Sequence, residues 1–444
     1  MHPWLQTVID MCRGKFKGDL KAFEEDPLGI SINIERHCFG EFSMASVQAN
    51  EFMEDRSQVE VASNNALFLG VYDGHGGYLA SRFIAENLFK NLLRIAHENG
   101  NTITQDTLSS AVSDTEKQFI NYVRTEYIAM PSLAKAGSCC LTAVIWKKTL
   151  YVANLGDSRA IIVSMVDGKP VVEQLTRDHN CNDIAIREEL RAMHPNDPNI
   201  VFKRNGSYRV KGIIEVCRTI GDAYLKRPDF TFHDSFPKDT NGPPLPDKCV
   251  LSSEPEMRSR ALRNNDKFLI FASDGLWDLM SNEQAALIVS KNPRNGIAKR
   301  LLSVALTESA RRRGFSYQNV QAASPGRGNA SRRSFHDDIS VIVVFLEKPS
   351  ILRKRVLNMS YSGLNPTPEK SDFEGSGLSS LILSPLSPRG LKASFRRRSK
   401  SVDSPLGGSS QGEDTDRLID QSSRQTAQGR WASLRQKLFG RFRR

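Results

Sequence analysis

The sequence predicts an α+β layered domain in place of a parallel βαβ repeat, and three observations carry that expectation. Short apolar runs fit for strands come in clusters. Neighbouring runs within a cluster are separated by turn-length spacers, which implies antiparallel pairing. Long amphipathic segments lie between the clusters.

Taken in order, residues 1–37 read as an N-terminal extension with some helical character, and the chain is continuously structured from about Cys38 to Glu347. Leu67–Tyr72 is strand-like. Ala80–Ala96 puts Phe83, Ile84, Leu88, Leu92 and Ile95 on one helical face, and 105–128 behaves similarly. Leu141–Trp146 and Leu150–Asn154 flank Trp146-Lys147-Lys148-Thr149 at hairpin spacing, and Ala160–Met165 runs into the Asp167-Gly168 turn signal. Phe268–Ala272 is a further strand and 296–311 a third amphipathic helix. Arg311–Arg333, rich in Arg, Ser and Gly, reads as a long exposed loop before the last strand, Val341–Leu346.

Composition narrows the class. At 39% apolar and 25% charged residues the chain is ordinary for a soluble globular protein, and no apolar run approaches the roughly 20 residues of a membrane span. Asp10 interrupts the short apolar N-terminal stretch, which argues against a secretory signal. Seven cysteines without a Cys-x-x-Cys pair point to a reducing, intracellular compartment and away from a disulfide or zinc framework; Cys139-Cys140 reads as two small core residues. From Pro349 onward 18 basic residues face 8 acidic ones, a surplus that accounts for all but one unit of the net +11. The globular part is nearly neutral, so nucleic-acid binding by it is not expected.

Acidic residues recur where apolar runs end: Glu54-Asp55, Asp73, Asp157, Asp274 with Asp278, and Asp337-Asp338. Singly, an Asp-Gly is a turn and an Asp before a helix is a cap. Jointly, carboxylates gathered at a sheet edge repel one another unless a cation sits among them. Hard Mg²⁺ or Mn²⁺ takes oxygen ligands, and the lack of a His/Cys set argues against structural zinc. Gly74 lets the main chain turn towards such an ion, and Gly76-Gly77 permit the next helix to start at once.

The ordered set ED, VYDGHGG, GSCC, NLGDSRA, LTRDHN, RTIGDAYLK, ASDGLWD and HDDIS resembles the metal-dependent serine/threonine protein phosphatases of type 2C over about residues 38–347. The wording of GEFSMASVQAN and RVKGIIEVCRTIGDAYLK most resembles the plant branch called clade D. The resemblance implies a four-layer α/β/β/α sandwich, two antiparallel sheets flanked by helices, with a dinuclear Mg²⁺ or Mn²⁺ centre at one end. It makes Asp73 the carboxylate bridging both ions, with Glu54 and the Gly74 carbonyl on one and Asp274 and Asp337 on the other. Asp55 would hold ligand waters, Asp157 and Asp278 would join Asp274 at a weaker third ion, and His75 would be the general acid. A water between the two ions would attack phosphoserine or phosphothreonine without a covalent phosphoenzyme.

One position departs from the family. Where many members carry a phosphate-gripping Arg, four residues before Glu54, this chain has Asn50. The expectation is weaker phosphate binding, or partial substitution by Arg56, which shares strand parity with Glu54. The segment 194–226 falls where the family has a variable flap and suits a substrate- or partner-reading loop, or a solvated connection.

The expected organisation is therefore an extension at 1–37, a catalytic domain at 38–348 and a mostly disordered basic tail at 349–444. The tail carries basic clusters at 353–355 and 395–401, Ser-Pro pairs at Ser384, Ser387 and Ser404, and a stretch at 430–444. There Trp431, Leu434, Leu438 and Phe442 share one helical stripe amid arginines, the pattern of an anionic-membrane or calmodulin-binding helix. The functional expectation is a monomeric phosphoprotein phosphatase in cytoplasm or nucleus, or peripheral at the plasma membrane. By resemblance its substrates include plasma-membrane proton pumps and its partners small auxin-induced inhibitor proteins. The alternatives are an inactive family member that binds phosphoproteins and a two-metal phosphoesterase for small molecules.

Overall fold

The structure, a computed structural model, describes residues 26–62, 65–230 and 249–347 and the backbone of 359–362. The chain divides into units Met1–Glu374 and Gly375–Arg444, and every described residue belongs to the first. The tail's two basic clusters, its Ser-Pro pairs and the 430–444 stretch lie outside the described residues.

In chain order come β1 (Gly29–His37), β2 (Gly40–Val47), β3 (Arg56–Val61), β4 (Leu67–Tyr72) and β5 (Gly74–His75), then α1 (Leu79–Glu98) and α2 (Gln105–Glu126). Next are β6 (Gly137–Ser138), β7 (Cys140–Trp146), β8 (Thr149–Leu155), β9 (Arg159–Val166) and β10 (Lys169–Gln174). Helix α3 (Ile184–Met193), β11 (Val201–Arg204), β12 (Ser207–Val210), β13 (Ile220–Gly221) and α4 (Ala223–Lys226) follow. The last elements are β14 (Glu256–Ala261), β15 (Asp266–Ala272), α5 (Asp274–Trp277), α6 (Asn282–Lys291), α7 (Ile297–Arg312), α8 (Tyr317–Ala322), β16 (Ile339–Leu346) and β17 (Met359–Ser362).

Two six-stranded antiparallel sheets form, ordered β1-β2-β16-β15-β9-β10 and β14-β8-β7-β4-β3-β17. Period-two alternation makes the four layers. In β16, Ile342 and Val344 face the other sheet while Val341, Val343 and Phe345 meet α6 and α7. In β4, Leu67 and Leu69 enter the inter-sheet core while Phe68 and Tyr72 pack under α1 and α2. Such strands are apolar on both faces, so they read as unbroken apolar runs. Helix α1 turns Ile84, Leu88 and Leu92 inward, and Asn91 donates to Thr115 Oγ1 of α2 at 3.0 Å. Both expected hairpins close through two-residue turns with positive φ, Lys147-Lys148 and Asp167-Gly168.

Three expectations are corrected. Residues 29–37, expected in a helical extension, are strand β1, because Ile30, Ile32 and Ile34 recur at period two and pair the segment with β2. Met359–Ser362, expected in a disordered tail, pairs antiparallel with β3 and so completes the second sheet's edge. The stretch 311–333 is not one exposed loop: α8 lies inside it, burying Tyr317 and Val320, and Arg332 is fully buried.

The β1–β2 turn carries a pH-dependent element. His37 is buried with Nε2 on the Glu41 carbonyl at 3.0 Å, and burial lowers its pKa to about 4. The unfolded chain therefore binds a proton that the folded chain excludes, so stability is lost as pH falls from about 6.5 through about 4. The loss expected from this one residue is about 3 kcal/mol at pH 4. His37→Gln should flatten that limb of the stability curve in urea titrations; an unchanged limb would mean the ring is charged when folded.

Candidate active site

The registers place every acidic motif at one end of the sandwich. In one sheet Arg56 at the start of β3 faces Tyr72 at the end of β4, so Glu54-Asp55 and Asp73 emerge side by side. In the other, Ala272 at the end of β15 faces Val341 near the start of β16 and Arg159 at the start of β9. Asp274, Asp337-Asp338 and Asp157 therefore leave the sheets at a common edge. Asp73, Asp157 and the Cys139 thiol offer ligand atoms all within 4.8 Å of one another, and Asp274 is close enough for its charge to be felt at Asp73.

Each carboxylate has a distinct job in the protein. Asp338, buried, accepts from the backbone N–H groups of Ala49 at 2.6 Å, Asn50 at 3.0 Å and Glu54 at 2.7 Å, which pins the loop before β3. Glu54 accepts from Gly77 N at 2.6 Å, and Ser81 Oγ donates to its carbonyl. A Cβ on Gly74 would sit 2.5 Å from the Glu54 carbonyl oxygen, so only glycine lets these two segments touch. Asp55 is buried and accepts from Ser273 Oγ at 2.7 Å. Asp157 accepts from Asn180 Nδ2 at 2.7 Å and from the Cys139 thiol at 3.4 Å. Cys139 is thus core, as expected, but it also touches the acidic cluster.

Burial holds the Asp73 carboxyl well above the ordinary carboxylate range, and the charges of Asp274, Asp55, Asp337 and Asp157 push the same way. Asp274 is raised likewise, by burial and then by Asp157 and Asp337, and Asp55 by burial and then Asp338. A cluster that resists its own ionisation in this way calls for positive charge. Asp274 Oδ1 is buried without a hydrogen-bond partner, an acceptor left for an ion. The carboxylate donors are hard oxygens, which fits Mg²⁺ or Mn²⁺, and the Cys139 thiol donates to Asp157. Exposed Asp278, expected with Asp157 and Asp274 at a third ion, lies within electrostatic reach of Asp157 and Asp337.

His75 is placed by a three-stranded miniature sheet, β13-β6-β5. Gly74–His75 pairs with Gly137–Ser138, which pairs with Ile220–Gly221, and the next residue is Asp222. Asp222 adopts φ 50° and is fully buried, and its Oδ2 lies 2.8 Å from His75 Nε2. Burial opposes charge on the imidazole, but the Asp222 charge and hydrogen bond outweigh it and the pKa is raised. A Cβ on Gly137 would lie 2.1 Å from Asp222 Oδ2 and 2.3 Å from His75 Nε2, so glycine is required there too. Asp222 did not stand out in the sequence, and Asp338 was named there only as one of the Asp337-Asp338 pair, with no role of its own.

The structure places Asn50 at the acidic cluster, whereas Arg56 settles differently from expectation. Asn50 Nδ2 donates to Asp337 Oδ1 at 3.1 Å. Arg56 does not reach into the cleft: its guanidinium is buried, donates to the Met53 and Asp55 carbonyls at 2.7 Å each, and lies 5.7 Å from the Tyr78 ring centroid. It braces the loop and is not available to substrate. The 194–226 segment is built around the β11–β12 hairpin, with Arg187 over Tyr208 and buried Lys211 paired to Asp197 at 2.6 Å. Glu215 in this segment is felt electrostatically at Asp278.

Comparison with known proteins bears on the family and the fold. The sequence profile described as "Protein phosphatase 2C" matches residues 39–316. "Probable protein phosphatase 2C 43" of Oryza sativa subsp. japonica is 47% identical over 360 residues, covering 78% of this chain and 91% of that protein. "Probable protein phosphatase 2C 68" of Arabidopsis thaliana is 47% identical over 355 residues, covering 78% and 88%. The crystal structure of a serine-threonine phosphatase 2C from Toxoplasma gondii shares the fold, with a TM-score of 0.54, 19% identity, and coverage of 72% of this chain and all of that one.

Proposed function

This chain belongs to the protein phosphatase 2C family as a metal-dependent serine/threonine protein phosphatase, and from its geometry we propose how its residues divide the reaction. Asp73, Glu54, Asp274, Asp337 and the Gly74 backbone would hold two divalent ions. When bound, such ions supply charge to the phosphoryl oxygens and an acidified water as nucleophile. Asp338 and Asp55 fix the loop and strand ends that carry those ligands.

His75 provides the proton for the leaving group. As the phosphorus–oxygen bond to serine or threonine breaks, the departing oxygen takes a proton from the imidazole, because an alkoxide is a poor leaving group. Nε2 is committed to Asp222, so Nδ1 is the nitrogen that meets substrate, and the His75 side chain is 29% exposed to do so. The support is one arrangement: a half-exposed histidine clamped by a buried carboxylate at the lip of the acidic cluster. Plasma-membrane proton pumps as substrates and small auxin-induced proteins as inhibitors are the phosphoprotein systems to assay, on resemblance to the plant branch alone.

The test is phosphate release from a phosphothreonine peptide and from p-nitrophenyl phosphate, whose leaving group needs no proton. Asp222→Asn is expected to slow peptide turnover about 10²-fold and the aryl ester far less. Gly137→Ala should reproduce that pattern by pushing the pair apart. Equal losses on both substrates would remove His75 from the proton-transfer step.

A further inference from the structure

The lack of an arginine at position 50 leaves open which group meets the dianionic phosphate at a cleft lined by carboxylates. The described arginines around the cluster are mostly committed elsewhere. Arg56 is turned inward onto carbonyls. Arg159 grips Asp178, and Arg312 donates to the Asp278 and Leu279 carbonyls. Arg333 is different. Its Nη2 pairs with Asp337 Oδ2, and its side chain remains 41% exposed.

We propose that Arg333 is the substrate-binding arginine of this enzyme, its guanidinium moving from Asp337 to the phosphoryl oxygens of the phosphoprotein. The inference rests on the phosphatase reading above. Asn50 and Arg333 occupy the two oxygens of one carboxylate, Oδ1 and Oδ2, so Arg333 brings its charge to within a carboxylate's width of the uncharged position. Its mount is rigid. The neighbouring Arg332 is fully buried and fork-bonded to Asp26, and both residues belong to the short 3₁₀ turn Arg332–Ser334. A guanidinium suits a tetrahedral dianion because two parallel N–H groups meet two oxygens. Once Asp337 gives its electron pairs to a cation, its hold on Arg333 weakens while an anion arrives beside it. The swap therefore exchanges one charge-assisted pair for another and strands no charge.

The experiment compares wild type, Arg333→Ala and Arg333→Lys. Three quantities are read: inorganic phosphate binding to the Mn²⁺-loaded proteins by calorimetry, KM and kcat on a phosphothreonine peptide, and Mn²⁺ affinity by thermal shift. The expected result for Arg333→Ala is a loss of at least about tenfold in phosphate affinity with a matching rise in KM. Arg333→Lys should recover part of it, since lysine keeps the charge and loses the fork. Mn²⁺ affinity should not fall. Unchanged phosphate affinity and KM, with Mn²⁺ bound more tightly, would overturn the proposal and leave Arg333 as a mere competitor of the metal for Asp337. If wild type released no phosphate the phosphatase reading itself would fail, yet calorimetric phosphate binding would still decide the role of Arg333.

Discussion

Asp73→Asn is expected to abolish phosphate release, by at least about 10³-fold, while raising the melting temperature of the metal-free protein. The two effects have one cause. Asp73 is surrounded by Asp274, Asp55, Asp337 and Asp157, all negative when ionised, so an amide of the same shape removes repulsion from the apo state. A gain of about 1 kcal/mol corresponds to roughly 1.5–2 °C for a domain of this size. The same amide is a weak ligand for a hard cation, so the variant should lose the stabilisation that Mn²⁺ or Mg²⁺ gives wild type. The measurements are peptide dephosphorylation and thermal shift, each with chelator and with added Mn²⁺. A variant that keeps the Mn²⁺-induced shift, or that melts lower than wild type without metal, would remove Asp73 from the metal site.

The legible parts of the sequence were those where chemistry and burial coincide. Strands such as Leu67–Tyr72 and Ile339–Leu346 are covered on both faces, so their apolar runs are unbroken and visible. Strand β3, Arg-Ser-Gln-Val-Glu-Val, is equally buried but hides its nature. Its inter-sheet face carries Val59 and Val61, while Gln58 donates to Glu60 at 2.9 Å and accepts from Tyr72 at 3.1 Å on the other side. Polar residues that satisfy one another inside a fold are indistinguishable, in sequence, from a surface loop.

The carboxylates proposed as ligands were legible because each lies close to the end of a strand. The residues that hold them in place were not. Asp338 works through three backbone N–H groups about 290 residues away in sequence, which no spacing announces. Asp222 meets His75 through strands of two residues each, too short for any period to register. Arg333 sat in a stretch rich in Arg, Ser and Gly, where composition alone gave no reason to choose one arginine over its neighbours.

Asp26→Asn is expected to be the most destabilising single change, costing about 3–5 kcal/mol and lowering the melting temperature by roughly 5–10 °C. Asp26 and Arg332 are both fully enclosed, with Arg332 Nη1 donating to Asp26 Oδ1 at 3.0 Å and a second N–H to Oδ2. Tyr317 Oη donates to the same carboxylate at 2.9 Å, and Arg332 Nε reaches His336 Nε2 at 3.2 Å. The pair thus ties the segment before β1 to the turn leading into Asp337, and both partners lie outside the 39–316 match. Most of the cost comes from leaving a guanidinium in the core without a counter-charge. Asp26→Ala with Arg332→Met, which removes both charges, should therefore cost less than Asp26→Ala alone. Urea titrations of the singles and the double give the coupling directly. Additive losses, with the double worse than either single, would show that the ion pair is incidental and that packing alone holds this corner of the fold.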